Sequence, residues 1–285
     1  MKRTYHYLLS AFLLLCLLGC STEKEYLVTI HTTYGDMKAI LYDATPKHKE
    51  NFLELAQAGK YDSVIFHRVI EDFMVQTGDL STSPSYVAQE DSINYRVPAE
   101  FVDTLYHKKG ALAAARQGDR SNPDRESSGS QFYFIQGTVL SEEELTTDMN
   151  KLNKGIQELI RNGNYDSLGD ELMNLYQSGD FQAYTDKLLS LRPVVEDELN
   201  IEVDKKYPQE RLKDYTTIGG SPHLDDTYTV FGEVLEGLYV IDSIAAQPTG
   251  TADKPLENIY MRVEVEQVSK KKITKEYGYE FPKYQ

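Results

Sequence analysis

The sequence predicts a mainly β fold interrupted by a block of helices, and three observations carry this. Between about residues 26 and 137, apolar and polar residues alternate in short segments separated by polar loops, the period-two signature of half-buried strands. After Gly137 the apolar spacing lengthens to about three and a half residues, the helical period, and stays there to about residue 216. From Ile218-Gly219-Gly220-Ser221-Pro222 the strand-and-turn pattern returns and runs to Val268. A chain of 285 residues can bury a full core, as one large domain or one domain with an insertion.

Lys2 and Arg3 precede an apolar stretch from Leu8 to Leu18, shorter than the roughly 20 residues of a membrane span and suited to a secretory signal. It ends in Leu17-Leu18-Gly19-Cys20, which looks like the bacterial lipobox. Residues 1–19 are therefore read as a lipoprotein signal peptide, with Cys20 lipidated and anchoring the mature chain in the cell envelope. The alternative is an ordinary signal peptide, or an uncleaved anchor, with a chance cysteine. Cys16 lies inside the apolar stretch, so the mature chain would hold no free thiol, which excludes disulfides and cysteine catalysis. Residues 20–25 read as a tether, and whether the protein faces the periplasm or the outside stays open. Removing Lys2 and Arg3 takes the formal net charge from −15 to −17, which excludes nucleic acid as a partner because phosphate binding needs a basic surface.

Tyr26 to Thr32, a turn at Tyr34-Gly35-Asp36, and Met37 to Tyr42 read as a hairpin. Thr45-Pro46 opens a helix with Phe52, Leu53, Leu55 and Ala56 on its apolar face, and Gly59 stops it. Strand-like segments follow to residue 137, among them Gly110 to Ala115, whose small side chains suit the floor of a shallow groove. In the helical block, Ser141 is an N-cap with Glu144 as its capping-box partner, and Leu140 staples to Leu145. Leu145, Met149, Leu152, Ile156, Leu159 and Ile160 then form one stripe. Gly163-Asn164-Tyr165 with Leu168 and Leu172 is echoed by Gly179-Asp180-Phe181 with Tyr184 and Leu188, which suggests paired helices joined by glycine turns. The stripe reads first as helices packing on one another and second as a docking surface for a client, acidic residues outnumbering basic ones 17 to 9 in residues 138–216. Met261 to Val268 alternates cleanly as the last strand, and residues 269–285 read as a Lys- and Tyr-rich tail on the surface or disordered.

The run from Phe66 to Asp79 sets Arg68 beside an amide, a thioether and two aromatics without a nucleophile or metal cluster, which suits a reaction that breaks no covalent bond. As strand, turn and strand, it would bring Arg68, Phe73, Met74 and Gln76 onto one face, with Val69, Ile70 and Val75 in the core behind. This run resembles the cyclophilins, the peptidyl-prolyl cis-trans isomerases. Gly129-Ser130-Gln131-Phe132-Tyr133-Phe134-Ile135, and Leu224-Asp225 with Tyr228-Thr229-Val230-Phe231-Gly232, resemble the family in the same order. The resemblance implies an eight-stranded antiparallel barrel over residues 26–137 and 217–268, capped by two helices, with residues 138–216 as a helical insertion. It implies an isomerase of X-Pro bonds in exported or surface proteins that needs no cofactor or metal. The alternative is a weakly catalytic or non-catalytic chaperone holding unfolded chains.

By the same resemblance Arg68 is the donor to the twisted amide, Phe73, Met74, Tyr133 and Leu224 form the proline pocket, and Gln76 bonds the substrate backbone. Ala115 and Arg116 border the peptide groove with Gln131 beside them, and His223 and Tyr228 lie on its rim. His67 reads as structural, since no proton moves in this reaction. Departures stand out: Tyr133, Arg116, His223 and Tyr228 replace the family's Phe, Asn, Trp and His, so the implied inhibition by cyclosporin, which the tryptophan's indole N–H supports, is weak. Glu71-Asp72 replaces a Pro-Gly turn and Thr77 a glycine, which puts the loop beside Arg68 in question.

Overall fold

The computed structural model describes residues 23–86, 95–163 and 165–282; the expected signal peptide and lipidation site, residues 1–20, lie outside the described residues. The strands are β1 (Lys24–Thr32), β2 (Gly35–Leu41), β3 (Val64–Ile65), β4 (Arg68–Ile70), β5 (Met74–Thr77), β6 (Arg96–Val97), β7 (Ala111–Ala114), β8 (Ser127–Ser128), β9 (Phe132–Ile135), β10 (Val230–Glu236) and β11 (Tyr260–Ser269). The helices are α1 (Pro46–Gln57), α2 (Glu142–Thr146), α3 (Met149–Arg161), α4 (Asp166–Ser178), α5 (Phe181–Ser190), α6 (Arg192–Leu199), α7 (Gln209–Thr217), α8 (Leu238–Ala245) and α9 (Lys270–Tyr277).

One antiparallel sheet runs β3-β11-β1-β2-β10-β7-β9-β5-β4, nine strands where eight were expected. The extra strand is a matter of division, because β3 and β4 are two parts of one segment separated by Phe66 and His67. Phe66 N–H donates to Ile259 O at 2.9 Å and His67 N–H to Gln76 O at 3.1 Å, so this segment joins both ends of the sheet and leaves no open edge there. Thr77, which replaces a family glycine, donates from its hydroxyl to Ile65 O at 2.9 Å and helps tie the seam.

The pleat sends Val69, Val75, Leu112, Phe132 and Phe134 inward, where they pack with Val28, Ile30 and Met37. Phe52, Leu53 and Ala56 of α1 and Val240, Ile241 and Ile244 of α8 enter the same core, so two helices cap the barrel interior. Ile70 departs from the expected core set. It lies two residues from Arg68 on the same strand face and packs on the outside with Phe73 and Met74.

The insertion has two tiers. Gly220 N–H donates to Thr138 O at 2.9 Å, closing its base, and Gly137 (φ +60) allows this approach because a Cβ there would sit 2.4 Å from Gly220. α2 and α7 form the first tier, packing Leu145, Leu212 and Tyr215 on Tyr106 of the barrel. Ser141 and Glu144 make both bonds of the predicted capping box, but the stripe then breaks: Leu145 belongs to this tier, and Asp148 caps the new helix α3. Asp148 N–H to Val203 O and Lys205 N–H to Thr146 O, both 2.7 Å, close the neck of a second tier. There α3 to α6 bury Leu152, Ile156, Leu159, Leu172, Leu188 and Val195 in a core of their own.

The C-terminal segment differs from the expected loose tail. α9 buries Ile273 against Leu27, Ile40 and Val268 on the outside of the barrel, and Tyr277, Tyr279 and Phe281 extend that contact.

Candidate active site

Strand register builds a row across the outer barrel face. Arg68 of β4 pairs with Gln76 of β5, Gln76 with Tyr133 of β9, and Tyr133 with Ala113 of β7. Beside this row a pocket of about 90 Å³ opens. Arg68, Phe73, Met74, Gln76 and Tyr133 line it from β4, β5, β9 and the intervening turn. Ala115, Arg116, Leu224 and Tyr228 line it from the flanking loops.

The two remaining predicted residues sit at its border. Gln131 accepts a hydrogen bond from Gln76 Nε2 at 3.0 Å, and the His223 ring lies 5.2 Å from that of Phe73. The turn into Phe73 closes without Pro-Gly: Asp72 takes φ +62, which Asp tolerates, and Phe73 N–H donates to Ile70 O at 3.2 Å. Arg116 ties its own loop to that of Tyr228, donating to Thr227 O at 2.7 Å and to Asp119 at 2.6 Å, with its guanidinium 4.3 Å over the Tyr228 ring.

Sequence reasoning missed two partners. Arg68 Nε donates to Asp253 Oδ2 at 3.3 Å, from a turn in which Ala252 and Asp253 both have positive φ. The Tyr133 hydroxyl lies 3.1 Å from His107 Nε2, and His107 bonds Asp225 through Nδ1 at 3.0 Å. Burial holds the His107 imidazole below its ordinary value, against the pull of Asp225, and raises the Tyr133 phenol well above its own. Neither partner carries a local motif, since both contacts depend on how distant loops meet.

Ser127, His48 and Glu100 form a second histidine-centred set, with Ser127 Oγ 2.9 Å from His48 Nε2 and His48 Nδ1 2.7 Å from Glu100. The order is that of a nucleophile, a base and its orienting acid. Its setting is structural: Ser127 is 1% exposed, the space beside His48 is about 10 Å³, and Glu100 accepts the Lys47 and His48 N–H groups at the start of α1.

Residues 27–154 and 212–265 match the family model described as "Cyclophilin type peptidyl-prolyl cis-trans isomerase/CLD". The chain belongs to the cyclophilin-type peptidyl-prolyl cis-trans isomerase family. A relative from Staphylococcus saprophyticus, named "Putative peptidyl-prolyl cis-trans isomerase", is 31% identical over 239 residues, covering 83% of this chain and 89% of the relative. One of the same name from Staphylococcus haemolyticus is 29% identical over 238 residues, covering 83% and 89%. The "Putative bifunctional phosphatase/peptidyl-prolyl cis-trans isomerase" of Streptococcus pyogenes is 31% identical over 235 residues, and there the match covers 81% of this chain but 37% of the longer protein. Among solved structures, a Cryptosporidium parvum cyclophilin type peptidyl-prolyl cis-trans isomerase has a TM-score of 0.49 at 18% identity, covering 86% of this chain and 98% of that one. The model's unmatched stretch, residues 155–211, falls in the α-helical insertion of this cyclophilin.

Proposed function

We propose that this cyclophilin isomerises X-Pro bonds in exported or surface proteins, with Arg68 as the hydrogen-bond donor to the twisted prolyl amide. The row Arg68–Gln76–Tyr133 carries the reading, because it sets a permanent cation beside an apolar pocket on a rigid sheet. Rotation about the amide faces a barrier of about 18–20 kcal/mol because the C–N bond is conjugated. Twisting breaks the conjugation and leaves a lone pair on a pyramidal nitrogen. A fixed N–H donor stabilises that form more than the planar one, which is what lowers a barrier.

With Nε bonded to Asp253, the terminal amino groups of Arg68 remain for substrate. Phe73, Met74, Tyr133 and Leu224 offer carbon surface to the proline ring, which has no donor of its own, and Gln76 holds the peptide backbone. Ala115, Arg116, Gln131, His223 and Tyr228 border the groove. The test is cis-to-trans relaxation of a short X-Pro peptide with protein starting after Cys20, compared with Arg68→Ala. Acceleration that collapses in the variant supports the reading, and no acceleration by the folded wild type ends it.

A second reading, in which the insertion holds unfolded client chains, rests on an aromatic cluster at the α4–α5 turn. The Tyr176 ring lies 5.8 Å from those of both Phe181 and Tyr184, and Met173, Tyr176 and Phe181 are 55%, 57% and 61% exposed. The acidic excess of the insertion suits apolar client segments flanked by Lys or Arg. Lipid anchoring in the cell envelope rests on Lys2, Arg3, the apolar stretch and Leu17-Leu18-Gly19-Cys20. Lipid labelling of the full chain that persists in Cys20→Ser would remove it.

A further inference from the structure

We propose that His107 is a positioning residue of the prolyl pocket and that α7, the exit helix of the insertion, sets its position through Asp225. The proposal rests on the isomerase reading above and adds residues that touch no substrate. Asp225 only accepts, and its Oδ1 takes both the backbone N–H of His107 at 2.9 Å and the ring Nδ1–H at 3.0 Å. That fixes the neutral tautomer with the proton on Nδ1, so the Nε2 lone pair accepts the Tyr133 O–H at 3.1 Å. The two rings lie 14° from parallel, and His107 and Asp225 side chains are 1% and 5% exposed.

α7 holds the other end. Tyr215 O–H donates to Asp225 Oδ2 at 2.8 Å, and Arg211 donates to the same oxygen at 3.2 Å. Arg211 also donates to Asp103 O at 2.6 Å and to Asp226 at 3.0 Å, so the helix is clamped to the loops on either side. Neither Arg211 nor Tyr215 lines the pocket. Asp225 also follows Leu224 directly in the chain, so one carboxylate fixes two pocket walls: Leu224 through the backbone and Tyr133 through His107. A phenylalanine at 133 would fill the wall without needing a buried acceptor. The tyrosine makes wall position depend on a buried polar chain, in which each member is held only while its neighbours are in place.

The experiment is a double-mutant cycle on the protein starting after Cys20, reading kcat/KM for a short X-Pro peptide with unfolding midpoints recorded alongside. Tyr215→Phe is expected to lower kcat/KM about threefold to tenfold, toward the lower end of coupling within one hydrogen-bond network. In the Tyr133→Phe background the loss is smaller, because the link through His107 is already cut and only the one through Leu224 remains. Equal losses in both backgrounds, as general loosening of the fold would give, overturn the proposal. So does an unchanged rate in both, which leaves the isomerase reading standing. An inactive wild type removes both. Arg211→Lys, which keeps the charge but loses the fork, repeats the cycle if Tyr215→Phe fails to fold.

Discussion

Arg68 and Asp253 stand 185 positions apart in the chain and meet at 3.3 Å, where one N–H of the guanidinium fork is held; in the proposed mechanism the others serve the substrate. A lysine keeps the charge but offers one mobile ammonium instead of a planar fork. Arg68→Lys is therefore expected to lower kcat/KM on a short X-Pro peptide by about a hundredfold, the usual scale for losing a fixed transition-state donor. The unfolding midpoint should stay unchanged, since Arg68 is 42% exposed and its ion pair adds little stability. Near-wild-type turnover by the lysine variant would mean that charge alone suffices. Arg68, Phe73, Met74 and Gln76 were legible because one strand-turn-strand run carries them, Arg68, Met74 and Gln76 at period two and Phe73 from the turn. Asp253 and His107 were not, because barrel closure brings the first to Arg68 and the exit helix of the insertion fixes the second.

At the scale of elements, the two bridges of the insertion predict where it can be cut. The α3–α6 tier has its own core and returns to its starting point at the bond from Asp148 to Val203, while α2 and α7 pack on the barrel. Replacing residues 148–203 by a short glycine-rich turn closes a loop that is already closed in space, so the entropic cost is small. Peptide isomerisation is expected to stay within about twofold of the parent, as for changes remote from a site. Activity on an unfolded protein substrate should fall, and equal retention on both substrates would remove the docking role of the aromatic cluster. The helical block was legible from its period. Its division was not, because Leu145 continues the stripe in sequence while Asp148 starts a new helix. α9 was missed for a related reason: four lysines hide a helix whose one fully buried side chain is Ile273. Ending the chain at Ser269 uncovers Leu27, Ile40 and Val268, and should lower the unfolding midpoint while the pocket on the neighbouring face keeps its rate per folded molecule.

For the whole molecule, burial sets a pH window of stability. His48, His67 and His107 all have their pKa lowered chiefly by burial, and His67 Nδ1 has no hydrogen-bond partner. An unfolded histidine titrates near about 6.5, so below that pH the unfolded chain binds protons that the folded chain refuses, and stability falls as pH falls. At the other end, Tyr42, Tyr61 and Tyr133 are raised by burial. Unfolded tyrosines ionise near about 10 while these stay protonated, so stability is lost as pH rises past that value. The unfolding midpoint should therefore be flat from roughly pH 7 to 9.5 and drop on both sides. Net charge argues the opposite at the acid end, because a chain at −15 relieves self-repulsion as its carboxylates protonate. That repulsion is spread over the surface and screened within about 8 Å at physiological salt, whereas the histidines are charged inside the barrel and its packed loops. The local term should win at such salt, and the midpoint should fall between pH 7 and 5. A midpoint that rises over that interval would assign acid behaviour to surface charge, with the buried histidines charging at little cost.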